Sequence, residues 1–244
     1  IAYHKNKFER GFDKVVNIWG ADHHGYIPRM LAAVEALGRK RDDLKIILVK
    51  LVNLLRSGRD VPMSTRAGEF VTLREVMNEV GVDPMRFIFL TRHSNSTLDF
   101  DLDIAKSQKE ENRCYYVQYA YVRIKGFFRH CQQAGIPVPE SWEEVDLSPL
   151  TLPEEVTLMK RVASYPEMLE EAASALEPHR IAVYLDDLAT ALHKYYYRGT
   201  RENSARVVSS DPKVTAARLC LAEAVGIVIK NGLGILGVST PEEM

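Results

Sequence analysis

Val61-Pro62-Met63-Ser64-Thr65-Arg66-Ala67-Gly68-Glu69-Phe70-Val71-Thr72-Leu73 joins an apolar run, Ile46-Ile47-Leu48-Val49, through a polar turn to an amphipathic helix. Thr72, with Glu75 three residues on, is a capping-box start for that helix. The loop has two readings. As a plain surface turn it is unremarkable, because one Arg and one Gly are commonplace there. As a polyphosphate loop it has the right parts: Gly68 lets backbone come close, Ser64 and Thr65 offer hydroxyl donors, and Arg66 stabilises oxygens that gain charge as a phosphate bond breaks.

Toward the amino terminus, Tyr3 to Gly11 is a charged helix and Val15-Val16-Asn17-Ile18-Trp19 a short buried strand. Gly20-Ala21-Asp22-His23-His24-Gly25 follows, and Pro28 suits the first turn of a helix over 29–37 ended by Gly38. Strand, Gly-bearing turn and helix are a piece of an α/β sheet, where ligands sit at the carboxyl ends of strands. Asp22 is then placed to bond ribose hydroxyls, and His23 to contact a base or a substrate side chain. Two other readings compete. Asp22-His23-His24 serves equally as a polar helix-opening turn. It is also similar to the Asp-His-His signature of metal-dependent DHH phosphoesterases, which hold paired metal ions. Those enzymes need further aspartates at neighbouring strand ends, and none cluster between Asp42 and Asp60, so this reading ranks second. Lys45 to Leu54, apolar apart from Lys50 and Asn53, is one strand covered on both faces.

Toward the carboxyl terminus, Leu73 to Val80 is a helix closed by Gly81, and Asp83 caps another through Leu90. Leu98 to Asp103 alternates apolar and acidic residues, a solvated linker rather than a metal site, whose last Asp caps a helix over 104–133. Helical spacing sets Tyr116, Tyr119 and Arg123 along one face of that helix. Such a stripe is core packing or, alternatively, a surface on which unstacked RNA bases lie on phenol rings while guanidinium meets phosphate. A proline-bearing loop over 136–153 leads to helices over 157–176 and 178–197. Tyr195, Tyr196 and Tyr197 fan over about 200°, so at least one ring faces solvent. With Lys194, Arg198 and Arg201 beside it, that ring is a candidate base-stacking platform, packing between helices being the alternative. The last helix, 212–236, opens at Asp211-Pro212, and Gly232, Gly234 and Gly237 mark a fraying end.

Several of these segments, in this order, resemble arginyl-tRNA synthetases of class I. Met63-Ser64-Thr65-Arg66-Ala67-Gly68 is similar to their signature loop, with Pro62 and Thr65 at its two lysine positions. Gly20-Ala21-Asp22-His23-His24-Gly25-Tyr26 resembles their ATP-binding turn, and Ile1-Ala2-Tyr3-His4 the segment after their arginine-binding Asp. Gly81-Val82-Asp83-Pro84-Met85-Arg86-Phe87 resembles the passage out of the catalytic domain, Asn112 to Arg123 the opening helix of the anticodon domain, and Leu233 to Met244 the family's terminus.

The resemblance implies an α/β plus all-α chain: a partial Rossmann-like nucleotide-binding catalytic domain over 1–103, then an α-helical anticodon-binding bundle over 104–244. It implies arginine activation by ATP, with Mg2+ accompanying the nucleotide, and transfer to tRNA(Arg) by a cytoplasmic, monomeric parent enzyme. Met63, Ser64 and Arg66 would close over pyrophosphate, Arg66 or a lysine outside this chain replacing the missing cations. Gly20, Asp22, His23 and Gly68 would hold ATP or arginine. Tyr116, Tyr119, Arg123, Tyr195, Tyr197 and Met244 would meet tRNA. The family's His-Ile-Gly-His motif belongs upstream of this segment, so the chain reads as a carboxyl-terminal fragment that does not aminoacylate alone. A helical RNA- or protein-binding module without catalysis is the remaining alternative.

Composition limits these readings. The chain has 244 residues, enough for two cores, and a net charge of -1, so RNA contact must be a local patch. Cys114 and Cys131 lie about 25 Å apart along one helix at roughly 1.5 Å per residue, too far to pair, and three sparse thiols suit a reducing compartment. Neither a membrane-spanning run nor a lipidation motif is expected.

Overall fold

The structure is a computed structural model that describes residues 1–62 and 71–244. Met63, Ser64, Arg66 and Gly68, the signature-loop candidates, lie outside the described residues. The described chain is mostly helical and forms two compact units, one of residues 1–55 and 92–100, the other of residues 56–91 and 101–244.

In the first unit, α1 (Ala2–Glu9) precedes β1 (Val15–Gly20), which pairs in parallel with β2 (Leu44–Val49). The register runs from Val15 opposite Leu44 to Gly20 opposite Val49, so both strands end together at their carboxyl ends. A 3-10 turn, Ala21–Tyr26, and α2 (Ile27–Ala36) make the crossover. Phe8, Val15, Val34 and Leu44 form a buried cluster of this unit.

Two expectations change here. The apolar run over Lys45 to Leu54 is two strands, β2 and β3 (Val52–Arg56), because the Lys50 amide leaves the ladder and donates to the Ser94 carbonyl at 3.0 Å. Nor is the first sheet covered on both faces, since Ile18 is 70% exposed. Leu98 to Asp103 is no linker: β5 (Leu98–Asp101) forms there and runs into α5 (Leu102–Lys106).

In the second unit, β4 (Arg59–Asp60) is a two-residue strand, followed by α3 (Leu73–Val80) and α4 (Val82–Phe89). The Thr72–Glu75 box caps α3 as expected, the Thr72 hydroxyl accepting from the Glu75 amide at 3.2 Å and the Glu75 carboxylate from the Thr72 amide at 2.7 Å. Arg56 grips Glu79 with two donors, at 2.7 and 2.9 Å, and Lys106 adds a third; these cations hold the Glu79 carboxyl down at about 2.

Asp101 rather than Asp103 caps α5, accepting from the Asp103 amide at 2.9 Å. The long helix expected over 104–133 is broken after α5. Asn112 ends the break by donating to the Ala105 and Ser107 carbonyls at 2.9 Å each while its oxygen caps α6 (Arg113–Ala134) at the Tyr115 amide. The helix expected over 157–176 is α7 (Pro153–Ala163) and α8 (Tyr165–Ala175), split where Pro166 has no amide to offer the preceding turn. Then come α9 (His179–Arg201) and α10 (Pro212–Leu236).

α10 is long and apolar enough in composition to cross a bilayer, yet Leu219, Val225, Ile229 and Leu233 have no exposed surface and pack in the bundle core. Gly232 does not fray the helix. A Cβ there would stand 2.7 Å from the Leu185 side chain, so the glycine lets α9 and α10 approach closely. A buried pair ties the bundle polar-to-polar: Arg218 donates to Glu155 at 2.7 Å, and Glu155 also accepts from the Tyr195 hydroxyl at 3.0 Å.

Asp83 does not cap α4, whose cap is Gly81. Its carboxylate accepts instead from Gln118 Nε2 at 3.0 Å and from the amide and hydroxyl of Ser239, while Arg86 Nε donates to the Leu236 carbonyl at 3.1 Å. The last residues are thereby fastened to α4 and α6.

Candidate nucleic-acid interface

α9 buries Ile181, Leu185, Leu188, Leu192 and Tyr195, a stripe at spacings of four, three, four and three. That stripe fixes the neighbouring faces: His193, Tyr196 and Tyr197 fall on the flank that meets α6. On α6, Val117, Ala120, Tyr121 and Ile124 are buried, which turns Tyr116, Tyr119 and Arg123 toward the same seam.

The side chains close into one cluster. The Arg123 guanidinium lies 4.7 Å from the Tyr119 ring centroid, 4.3 Å from Tyr196 and 4.9 Å from Tyr197. It donates to His193 Nδ1 at 2.8 Å and to the Tyr197 hydroxyl at 3.3 Å. His193 Nε2 meets the Tyr116 carbonyl at 3.1 Å. Arg123 has no acceptor and a carbonyl no donor, so the imidazole carries its proton on Nε2 and accepts at Nδ1. Burial pushes the His193 pKa down to about 4, with Arg123 and Arg113 acting in the same direction against the Tyr116 carbonyl.

Around this centre the Tyr116 ring meets His193 edge-on at 4.3 Å, Tyr115 stacks on Tyr119 at 5.7 Å, and Arg113 covers Tyr116 at 4.2 Å while bonded to Asp186.

Two grooves flank the cluster. One, of about 600 Å³, is lined by Tyr119, Arg123, Phe127, Tyr196 and the Arg206–Val208 segment. Gly199 shapes it, because a Cβ would sit 3.0 Å from the Ala205 carbonyl oxygen, where the chain folds back on α9. The other, of about 750 Å³, lies between Tyr116, His193, Tyr197 and the charged row Lys194, Arg198 and Arg201. Arg198 is already paired with Glu154 at 2.6 Å and Glu202 at 3.1 Å, leaving Lys194 and Arg201 as the exposed cations of that row. Aromatic faces beside cationic rims are the chemistry that holds unstacked bases and their phosphates.

The structure thus gathers Tyr116, Tyr119, Arg123 and Tyr197, and Tyr197 is 55% exposed. Tyr195 does not join them. It is 3% exposed with its hydroxyl on Glu155, so no base can stack on it, and of the three consecutive rings it is the one that belongs to the core. Met244 is exposed just beyond Glu242, whose carbonyl accepts from Arg129 of α6. Sequence reasoning missed His193, left Tyr196 undistinguished among three adjacent rings, and missed Phe127. The spacing of His193 from Tyr196 and Tyr197, three and four residues, was the signal for the first two.

The first unit carries the other candidates. Gly20 ends β1 with open space where a side chain would be, and Asp22, His23 and His24 are all exposed on the turn that follows. His23 sits 6.5 Å from Trp19 and 6.1 Å from Tyr26, and with Met30 these rings line a hollow of about 300 Å³. That hollow can receive a flat ring. Among the described residues no three His, Cys, Asp or Glu side chains gather as a metal site.

Comparisons with known proteins bear on both units. Residues 117–244 match the DALR anticodon binding domain. The whole chain is 54% identical to an arginine–tRNA ligase of Syntrophotalea carbinolica and 54% identical to one of Desulfosudis oleivorans, spanning 43% of the length of each. A crystal structure assigned as an arginyl-tRNA synthetase from Campylobacter jejuni superposes with a TM-score of 0.84 at 34% identity, over 99% of this chain and 50% of that one. The arginyl-tRNA synthetase of Thermus thermophilus shares the fold, with a TM-score of 0.72 at 22% identity over 95% of this chain and 41% of that one. By the match over more than half its length, the chain belongs to the DALR anticodon binding domain family.

Proposed function

We propose that the chain is the carboxyl-terminal part of an arginine–tRNA ligase, whose bundle reads the anticodon of tRNA(Arg). The observation that carries this is the aromatic and cationic seam of α6 and α9 inside the DALR match, in a chain 54% identical throughout to arginine–tRNA ligases. On this reading residues 104–244 are the anticodon-binding domain and 1–103 the later half of a Rossmann-like catalytic domain. Tyr119 and Tyr197 stack on bases, Tyr116 and Arg123 shape the seam, Lys194 and Arg201 meet phosphate, and Met244 lies near the RNA.

In the first unit, the Trp19–His23–Tyr26 hollow takes the adenine of ATP, and Asp22 bonds the ribose hydroxyls. Of the residues outside the described structure, Met63, Ser64 and Arg66 are assigned to the pyrophosphate and Gly68 to ATP or arginine binding, with Mg2+ accompanying the nucleotide. The parent enzyme is cytoplasmic and monomeric. Catalysis then comes from orientation and charge stabilisation, with no enzyme nucleophile.

The test is fluorescence-anisotropy binding of an arginine tRNA anticodon stem-loop at fixed salt. Tyr197→Ala should weaken it about tenfold, the size of one lost base stack. Equal binding by wild type and Tyr197→Ala would overturn the assignment of this face.

A further inference from the structure

Arg123 is held before any RNA arrives. Three rings surround its guanidinium at 4.3 to 4.9 Å, and two of its donors already have acceptors. Of those acceptors the Tyr197 hydroxyl is on an exposed ring, whereas His193 is 2% exposed and anchored at its other nitrogen to the backbone of α6. The firm contact is therefore the histidine. It spans the seam, since His193 is on α9 and both Arg123 and the Tyr116 carbonyl are on α6. A guanidinium released from His193 would swing on a long side chain, and the rings it orders would lose their common partner.

We propose that His193 is a positioning residue for RNA recognition: through Nδ1 it seats Arg123 between Tyr119, Tyr196 and Tyr197, so that the stacking platform is built in advance. The inference rests on the anticodon-reading function and adds to it a residue that is almost wholly buried and acts through Arg123. Its value lies in preorganisation, because a platform fixed beforehand need not lose side-chain freedom when a base lands.

Two substitutions of similar size separate this role from mere packing. His193→Asn keeps an acceptor oxygen two bonds from Cβ, where Nδ1 stands, and gives up the bond to the Tyr116 carbonyl. His193→Gln keeps a donor nitrogen three bonds from Cβ, where Nε2 stands, and gives up the seat for Arg123.

The experiment compares wild type and both variants of this chain for binding to an arginine tRNA transcript and to the same transcript with its middle anticodon base changed. Thermal unfolding of each protein runs beside it. The expected result is discrimination within about threefold of wild type for His193→Asn and a loss of about tenfold or more for His193→Gln, the scale of one hydrogen bond to a charged group. A 15N spectrum of wild type should also show His193 protonated at Nε2 and bare at Nδ1. Discrimination that is equal in the two variants, or better in His193→Gln, overturns the positioning role; so does the opposite tautomer. Failure of wild type itself to discriminate overturns the anticodon reading instead. If one variant fails to fold, Arg123→Lys, which keeps the charge and loses the fork, must lose discrimination by about the same factor or the proposal falls.

Discussion

The two units differ in how much of their own apolar surface they cover. In the second, Ile124, Leu185, Leu188, Leu219, Ile229 and Leu233 are fully buried among α6, α9 and α10. In the first, β1 buries Val15 and Asn17 on one face and leaves Val16 and Ile18 on the other, with Ile18 70% exposed. A parallel sheet normally carries layers on both faces, so the second unit is a finished core and the first a sheet with one face bare. Substitutions should therefore act strongly in the bundle and weakly on the bare face.

The largest effect should come from Arg218→Ala. It leaves the Glu155 carboxylate, 0% exposed, without its cation, at a cost of about 3–5 kcal/mol in urea unfolding. A cost below about 1 kcal/mol would mean that the bundle is looser than its packing indicates. Next is acid sensitivity. The folded pKa of His193, about 4, lies below its ordinary value of 6.5, so the stability it contributes is complete above 6.5 and drains away as pH falls toward 4. The full effect is about 3 kcal/mol. Urea unfolding of wild type and His193→Asn between pH 7.5 and 4.5 should show the gap between them changing by roughly that amount; a constant gap would contradict a buried neutral imidazole.

A smaller effect is expected at Thr72. Removing its cap with Thr72→Ala should cost about 1 kcal/mol, read in the same assay, and no change would mean that α3 is held by its other contacts alone. The smallest belongs to the bare face. Ile18→Ser should change stability by less than about 0.5 kcal/mol, because its side chain is already in water. A cost near 2 kcal/mol would show the face to be covered in solution and would erase the contrast between the units.

How far the sequence could be read follows the same division. In the second unit the helices α9 and α10 were expected within a few residues of their bounds, and local chemistry marked the Thr72 and Asp211 caps, because helices are specified by neighbours a few residues away. Breaks were hidden: the split at Asn112 depends on a side chain reaching back to the Ala105 and Ser107 carbonyls, and α10's Gly232 looked like fraying until Leu185 filled its space.

The seam was half legible. Tyr116, Tyr119 and Arg123 share a face of one helix, but His193 and Tyr196 come from another, seventy or more residues away, and no periodicity links the two. Tyr195 was misjudged among three adjacent tyrosines because its partner, Glu155, is forty residues distant. In the first unit the exposed face of β1 was unreadable, since an apolar strand looks the same whether or not something covers it.

The most direct measurement of the central claim is the affinity of this chain for an arginine tRNA transcript beside the transcript with its middle anticodon base changed, at fixed near-physiological salt. An anticodon reader built on the α6–α9 seam should bind the first at least about tenfold more tightly, the scale of one lost base-specific hydrogen bond to a charged group. Equal affinity for the two would contradict it.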